Sequence, residues 1–189
     1  MSSLKTPQNE KYLSKLGGLI LTWSHYETGI NLTIEQIYNN WNGKEIFPTV
    51  PRTGLSRKIK FLRRWYNQNP HLEVHEWIPN QLDVLKMSSK IRDTVIHGIM
   101  VPNDRVNITE SKFFTYSPDP NQEIEMEVNL TSEQLWILSK IFICGAGLWG
   151  DFSRFLQGGH YNIDDLNGDI DKHLAFMIPL LNDLGDTQD

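Results

Sequence analysis

Apolar residues recur through the first forty positions at helical spacing: Tyr12, Leu16, Leu19, Ile20, Trp23, Tyr26, Ile30, Ile34, Ile37 and Trp41. Steps of three and four put such side chains on one stripe of a helix with 3.6 residues per turn. The chain is therefore expected to open with one long helix, entered through Pro7. Gly17 and Gly18 interrupt the pattern and would let another helix approach closely. Glu27 falls among the apolar positions, either at the edge of the stripe or with a dedicated partner. Asn42-Gly43 ends this helix, and Pro48 and Pro51 mark a linker.

A second helix is predicted from about Thr53 to Asn67. Leu55, Ile59, Leu62 and Tyr66 form its buried stripe, and Arg57, Lys58, Lys60, Arg63 and Arg64 lie largely away from it. Asn69-Pro70 stops it. His71 and His75 are four apart and could face a metal together on a helix, but no third ligand lies nearby and prolines flank them, so no metal site is expected. A third helix spans about Asn80 to His97, with Leu82, Leu85, Ser89, Arg92 and Ile96 along one side. From Arg105 to Leu130 the period shifts toward two, around Val106, Ile108, Phe113 and Phe114 and then Met126, Val128 and Leu130. With the turn at Ser117-Pro118-Asp119-Pro120-Asn121, this predicts a β-hairpin. Thr131-Ser132-Glu133-Gln134 is a capping-box signal for a fourth helix to about Leu156. A last amphipathic helix is expected near Asp169 to Leu184. The fold class is mainly α: an antiparallel helical bundle in one domain over residues 1–189, with a β-hairpin inserted at about 105–130.

The 189 residues are enough for one real core. The one cysteine, Cys144, excludes an intrachain disulfide and sits in an apolar run, where it reads as a core filler. No apolar leader opens the chain and no apolar run approaches the ~20 residues of a bilayer span. A reducing, cytoplasmic setting and no membrane partner are expected. Net charge is −5, which argues against a general nucleic-acid coat protein. Its distribution says more. Arg52 to Arg64 holds six basic residues and no acid, whereas Pro118 to the end holds thirteen acids and three bases. One basic surface on an acidic body suits a specific anionic ligand; a solvated helix face is the competing reading.

The densest chemistry is Ile91-Arg92-Asp93-Thr94-Val95-Ile96-His97-Gly98. A guanidinium can clamp a phosphate through two parallel hydrogen bonds, and an imidazole can exchange a proton near neutral pH. Read structurally, the same octet is a helix end, with His97 at the negative pole of the dipole, Gly98 as a left-handed cap and Asp93 paired to His97. Arg92 and His97 lie about 140° apart around an ideal helix. They converge only if the Arg wraps around, the helix unwinds before His97, or a second copy of the chain contributes.

A long first helix with a Trp and a Glu, an antiparallel second helix, and a helix ending in Arg-polar-x-x-x-His-Gly resemble the HEPN superfamily. Its motif is an Arg, usually followed by a polar residue, and then a His; Arg92 to His97 leaves four residues between. The resemblance covers about residues 13–156. It implies a metal-independent, cofactor-free endoribonuclease acting on RNA as a homodimer, leaving 2′,3′-cyclic phosphate and 5′-hydroxyl ends. His97 would move the proton, Arg92 would hold the scissile phosphate, and Asp93 would orient or charge His97. Arg57, Lys58, Lys60, Arg63 and Arg64 would hold the RNA backbone. Many relatives are toxins or act in phage defence, which implies a protein inhibitor or antitoxin as partner. Some toxin relatives carry a Tyr two residues after the His, where this chain has Ile99. The alternatives are a non-catalytic HEPN-like module that binds RNA or a nucleotide, and a helical protein-interaction domain. Gly-rich phosphate loops, a serine nucleophile elbow and zinc-type cysteine pairs are absent from the sequence.

Overall fold

A computed structural model describes residues 6–70, 77–116, 124–158, 164–173 and 175. The opening stripe folds as predicted into α1 (Pro7–Asn40), whose N-cap Thr6 accepts a hydrogen bond from the Asn9 amide. Asn42 adopts a left-handed conformation and turns the chain into a short helix that the sequence did not announce, α2 (Gly43–Ile46). Then follow α3 (Leu55–Gln68), α4 (Trp77–His97), β1 (Ile99–Pro102), β2 (Glu110–Tyr116), β3 (Ile124–Thr131) and α5 (Ser132–Gln157). A further helix, α6, covers residues 164–173 and so begins before the expected Asp169. The capping box at Thr131 and Gln134 is present with both reciprocal hydrogen bonds. His71, His75 and the 117–121 turn lie outside the described residues.

Contacts fix the sense of each helix. Tyr12 donates to the Leu130 carbonyl, Trp23 packs on Phe142, Thr33 donates to the Trp149 carbonyl and Trp41 to the Leu156 carbonyl. The numbers rise together, so α1 and α5 run parallel. Lys58 meets Glu27 and the Trp65 indole donates to the Trp41 carbonyl, so α3 shares that direction. Trp77 packs on Trp149, Gln81 meets Tyr26 and Arg92 covers Trp23, so α4 runs opposite to α1, α3 and α5. The expected antiparallel bundle is corrected accordingly. The linker before α3 travels back along α1, where Val50, Pro51 and Arg52 sit beside Asn31, Ile34 and Glu35. This return lets α3 start again in the direction of α1.

The close approach of α1 and α5 lies at Gly29 and Gly145 rather than at Gly17-Gly18. A Cβ on Gly145 would fall 2.6 Å from the Tyr26 ring, and one on Gly29 3.1 Å from the Ala146 carbonyl, whereas at Gly17 and Gly18 it would meet nothing within 4 Å. Aromatic rings fill the centre: Trp23, Tyr26 and Phe142 in one cluster, and Trp65, Trp77, Trp149 and Phe152 in another. Edge-to-face contacts of this kind add to the area they bury. Cys144 is buried as expected, and burial pushes its thiol pKa up. α5 is long and apolar enough by composition to cross a membrane, with 61% of its most apolar window buried in the bundle.

The predicted hairpin is part of a three-stranded antiparallel sheet in the order β1-β2-β3. β1 has four residues, too few to show a period in the sequence. Val106 and Ile108, read as strand, lie instead in the loop before β2. Ile108 is buried there because the Asn9 side chain, itself fully buried, accepts from its amide at 2.8 Å. Gly98 joins α4 to β1 directly, with its amide donating to the Thr94 carbonyl at 2.8 Å. It is not the left-handed cap considered above, since its φ is not positive. Glycine stands there because a Cβ would collide with the Thr94 carbonyl and lie 2.8 Å from that of Phe114.

Candidate functional site

α4 remains helical through His97, which removes unwinding as a way of bringing Arg92 and His97 together. Its inner side, with Leu82, Leu85 and Val95, is buried, and Arg92 lies at the margin of that side. Its guanidinium carbon stands 5.8 Å from the centre of the Trp23 ring, a cation–π distance. Its Nη1 donates to the Asp93 carboxylate at 2.6 Å. The Arg92 side chain is 28% exposed, so part of the fork still faces solvent. Two donors at this place, Arg92 Nε and Trp23 Nε1, are buried without a hydrogen-bond partner. Buried donors are normally satisfied, and these two are not.

His97 is exposed and its imidazole makes no hydrogen bond or ion pair with a described residue. Asp93, 60% exposed, bonds to Arg92 and not to His97. The structure thus joins Arg92, Asp93 and Trp23 and leaves His97 apart, on the same helix but over a different sector. Arg92 is held from wrapping toward His97 by the ring beneath it and the carboxylate beside it. The Trp23–Arg92 contact leaves no local mark in the sequence, where Trp23 reads as one more core position of α1. The one available signal was the pairing of a Trp-bearing helix with an Arg-bearing one.

The five basic residues of α3 divide. Lys58 turns inward, 2% exposed, with its ammonium 2.7 Å from the Glu27 carboxylate. This corrects the expectation that Lys58 lies away from the buried stripe. That stripe is Lys58, Phe61, Leu62 and Trp65, rotated by about one residue from Leu55, Ile59, Leu62 and Tyr66. A charged residue with a buried partner cannot be told from an exposed one by pattern alone. Glu27 is both partnered and partly exposed. Arg63 pairs with Asp83 at 2.7 Å. Arg57, Lys60 and Arg64 are exposed and carry no ion pair among the described residues.

A second acid–base group, unremarked in the sequence, lies between α5 and α6. Asp151, on a buried turn of α5, accepts from Arg154 and stands 3.1 Å from His173 Nε2. Burial holds the His173 pKa below its ordinary value, with Asp169 pulling the other way. A neutral imidazole can still donate Nε2–H to Asp151. Gly147 makes room, since a Cβ there would collide with the His173 ring. Among the described residues no three His, Cys, Asp or Glu side chains gather as a metal cluster.

No protein-family model, curated protein or solved structure matches this chain.

Proposed function

We propose that the chain is a metal-independent endoribonuclease of the HEPN type, acting through Arg92 and His97. The observation that carries this reading is Arg92 itself. Its guanidinium is fixed over Trp23, partly open to solvent, and keeps a donor without an acceptor. A phosphodiester oxygen is the ligand such a fork fits best. His97, exposed on the same unbroken helix, would take the proton from a ribose 2′-hydroxyl or return one to the leaving 5′-oxygen. Arg92 would stabilise the charge that develops on the phosphate. Attack by the 2′-oxygen on phosphorus, with departure of the 5′-oxygen, leaves a 2′,3′-cyclic phosphate and a 5′-hydroxyl.

The unbroken helix and the anchored Arg92 favour the route in which His97 comes from a second copy of the chain, as in a homodimer. The parallel course of α1 and α3 departs from the antiparallel pair of the resemblance. The reading therefore rests on the octet and on the opposed α1–α4 contact.

Purified protein incubated with mixed RNA, with and without a chelator, tests the proposal. Chelator-resistant cleavage is expected, lost in folded Arg92→Ala and His97→Ala variants, with mixtures of the two variants regaining activity if a shared site operates. Cleavage that persists in both variants overturns it. One observation favours a second reading, RNA or nucleotide binding without cleavage: Asp93 is bonded to Arg92, which leaves His97 with no carboxylate to orient it among the described residues. Binding without cleavage in the same assay is the outcome that selects it.

A further inference from the structure

Arg57 and Arg64 are seven residues apart on α3, about 10.5 Å along the axis and on nearly the same side. Both guanidinium carbons lie over the ring of Phe47, at 5.9 and 5.6 Å from its centre. Phe47 is partly exposed and backs edge-on onto the fully buried Phe61, with centroids 5.5 Å apart. Arg57 has one hydrogen bond, to the neutral Thr49 hydroxyl at 3.1 Å. Neither arginine is paired with a carboxylate among the described residues. Their neighbours Lys58 and Arg63 are neutralised by Glu27 and Asp83. Two cations drawn to one ring repel each other unless an anion lies between or beside them. Next to this loop is an open groove of about 340 Å³ lined by Asn31, Ile34, Glu35, Val50, Pro51 and Arg52, which adds Arg52 to the same side of the linker.

From this arrangement we infer that Arg57, Arg64 and Phe47 form a clamp for unpaired RNA, in which the guanidiniums leave the Phe47 ring for the strand's phosphates and the ring so uncovered stacks on a splayed base. The inference rests on the proposed function for its choice of nucleic acid and adds the residues that grip the strand: two guanidiniums and one aromatic ring outside the octet. An aromatic platform is useful only to a base whose face is free, whereas a paired helix would be held by charge alone. Of the five basic residues of α3, the clamp assigns binding to Arg57 and Arg64 and removes Lys58 and Arg63 from it. Trp23 and Glu27 are one turn apart on α1, and Arg92 and Lys58 end on them respectively. The beginning of α3 therefore stands level with Arg92 along the bundle.

Fluorescence anisotropy with a 2′-O-methyl oligonucleotide, which lacks the attacking hydroxyl, measures the clamp separately from cleavage. Arg57→Ala and Arg64→Ala are each expected to weaken single-strand binding about tenfold and to lower the salt slope by about 0.7. Phe47→Leu is expected to cost about tenfold on the single strand and to leave a duplex of the same sequence unchanged. Arg63→Ala should stay within about twofold of the parent, because its charge is already paired. Circular dichroism checks that each variant is folded. Unchanged single-strand affinity in Arg57→Ala and Arg64→Ala overturns the clamp, and so does an equal loss on duplex and single strand in Phe47→Leu. If the parent cleaves RNA while these variants bind normally, the clamp fails and the nuclease reading stands. If the variants lose binding and the parent never cleaves, the nuclease reading fails and the clamp stands. A parent that binds neither strand overturns the clamp outright.

Discussion

The Lys58 ammonium lies 2.7 Å from the Glu27 carboxylate, and the lysine is all but sealed from solvent while the glutamate is 35% exposed. The pair bridges α3 to α1 one turn from the point where Arg92 covers Trp23. Removing either partner is not symmetrical. Glu27→Gln leaves a buried cation without a counter-charge, whereas Lys58→Met replaces the cation with an apolar chain of similar length. Glu27→Gln is expected to cost about 3 kcal/mol and Lys58→Met distinctly less. Urea denaturation of both variants checks the order; equal costs would mean that the charge at Lys58 is solvated after all.

Asp93 separates two roles for the carboxylate beside the candidate site. Bonded to Arg92, it competes with any anion for the same fork. In the proposed RNA site, Asp93→Asn is expected to tighten RNA binding about two- to fivefold, the worth of a partly exposed ion pair, and to leave the pH profile of any cleavage in place. A fall in rate with a shifted profile would instead assign Asp93 to His97.

Gly17 and Gly18 sit inside α1 with open space where a Cβ would go. Alanine at either position should stabilise the protein by about 0.5–1 kcal/mol, because it narrows the unfolded ensemble and meets no clash. Gly29→Ala should destabilise, since its Cβ would press on the Ala146 carbonyl and on Trp149 at 3.1 and 3.2 Å. Thermal unfolding of the three variants tests the contrast.

His173 gives the fold a dependence on acidity. Its pKa is lowered in the folded protein by burial, so the unfolded chain binds the proton more readily. Stability from this group is complete above pH ~6.5, the ordinary histidine value, and declines as pH falls below it. His173→Gln should flatten the part of the stability curve between pH 7.5 and 5.5 that the parent loses. Superimposable curves for parent and variant would assign that loss to other groups.

Much of the fold was legible because long apolar periods dominate it. α1, α4 and α5 follow from spacing and caps, as does the pairing of β2 with β3. What stayed hidden depends on partners far along the chain. Nothing local to Lys58 says that it meets Glu27, and its inward turn rotated the true face of α3. The directions of the helices were set by the length and path of the linker after Phe47, which composition does not encode. At the candidate site, Arg92 and His97 were readable as chemistry. The Trp23 ring and the bond to Asp93, which decide where Arg92 can point, were not.

α4 passes into β1 through the single residue Gly98, and β1 is bonded in register, with Ile99 opposite Phe114 and Val101 opposite Lys112. There is no slack in this junction. One residue inserted after His97 would either push Ile99 and Val101 through to the opposite face of the sheet or wind His97 a further 100° around the helix. The catalytic candidate is thereby geared to the sheet, and loop length between them is a quantity that evolution or an engineer could change only at the expense of one or the other.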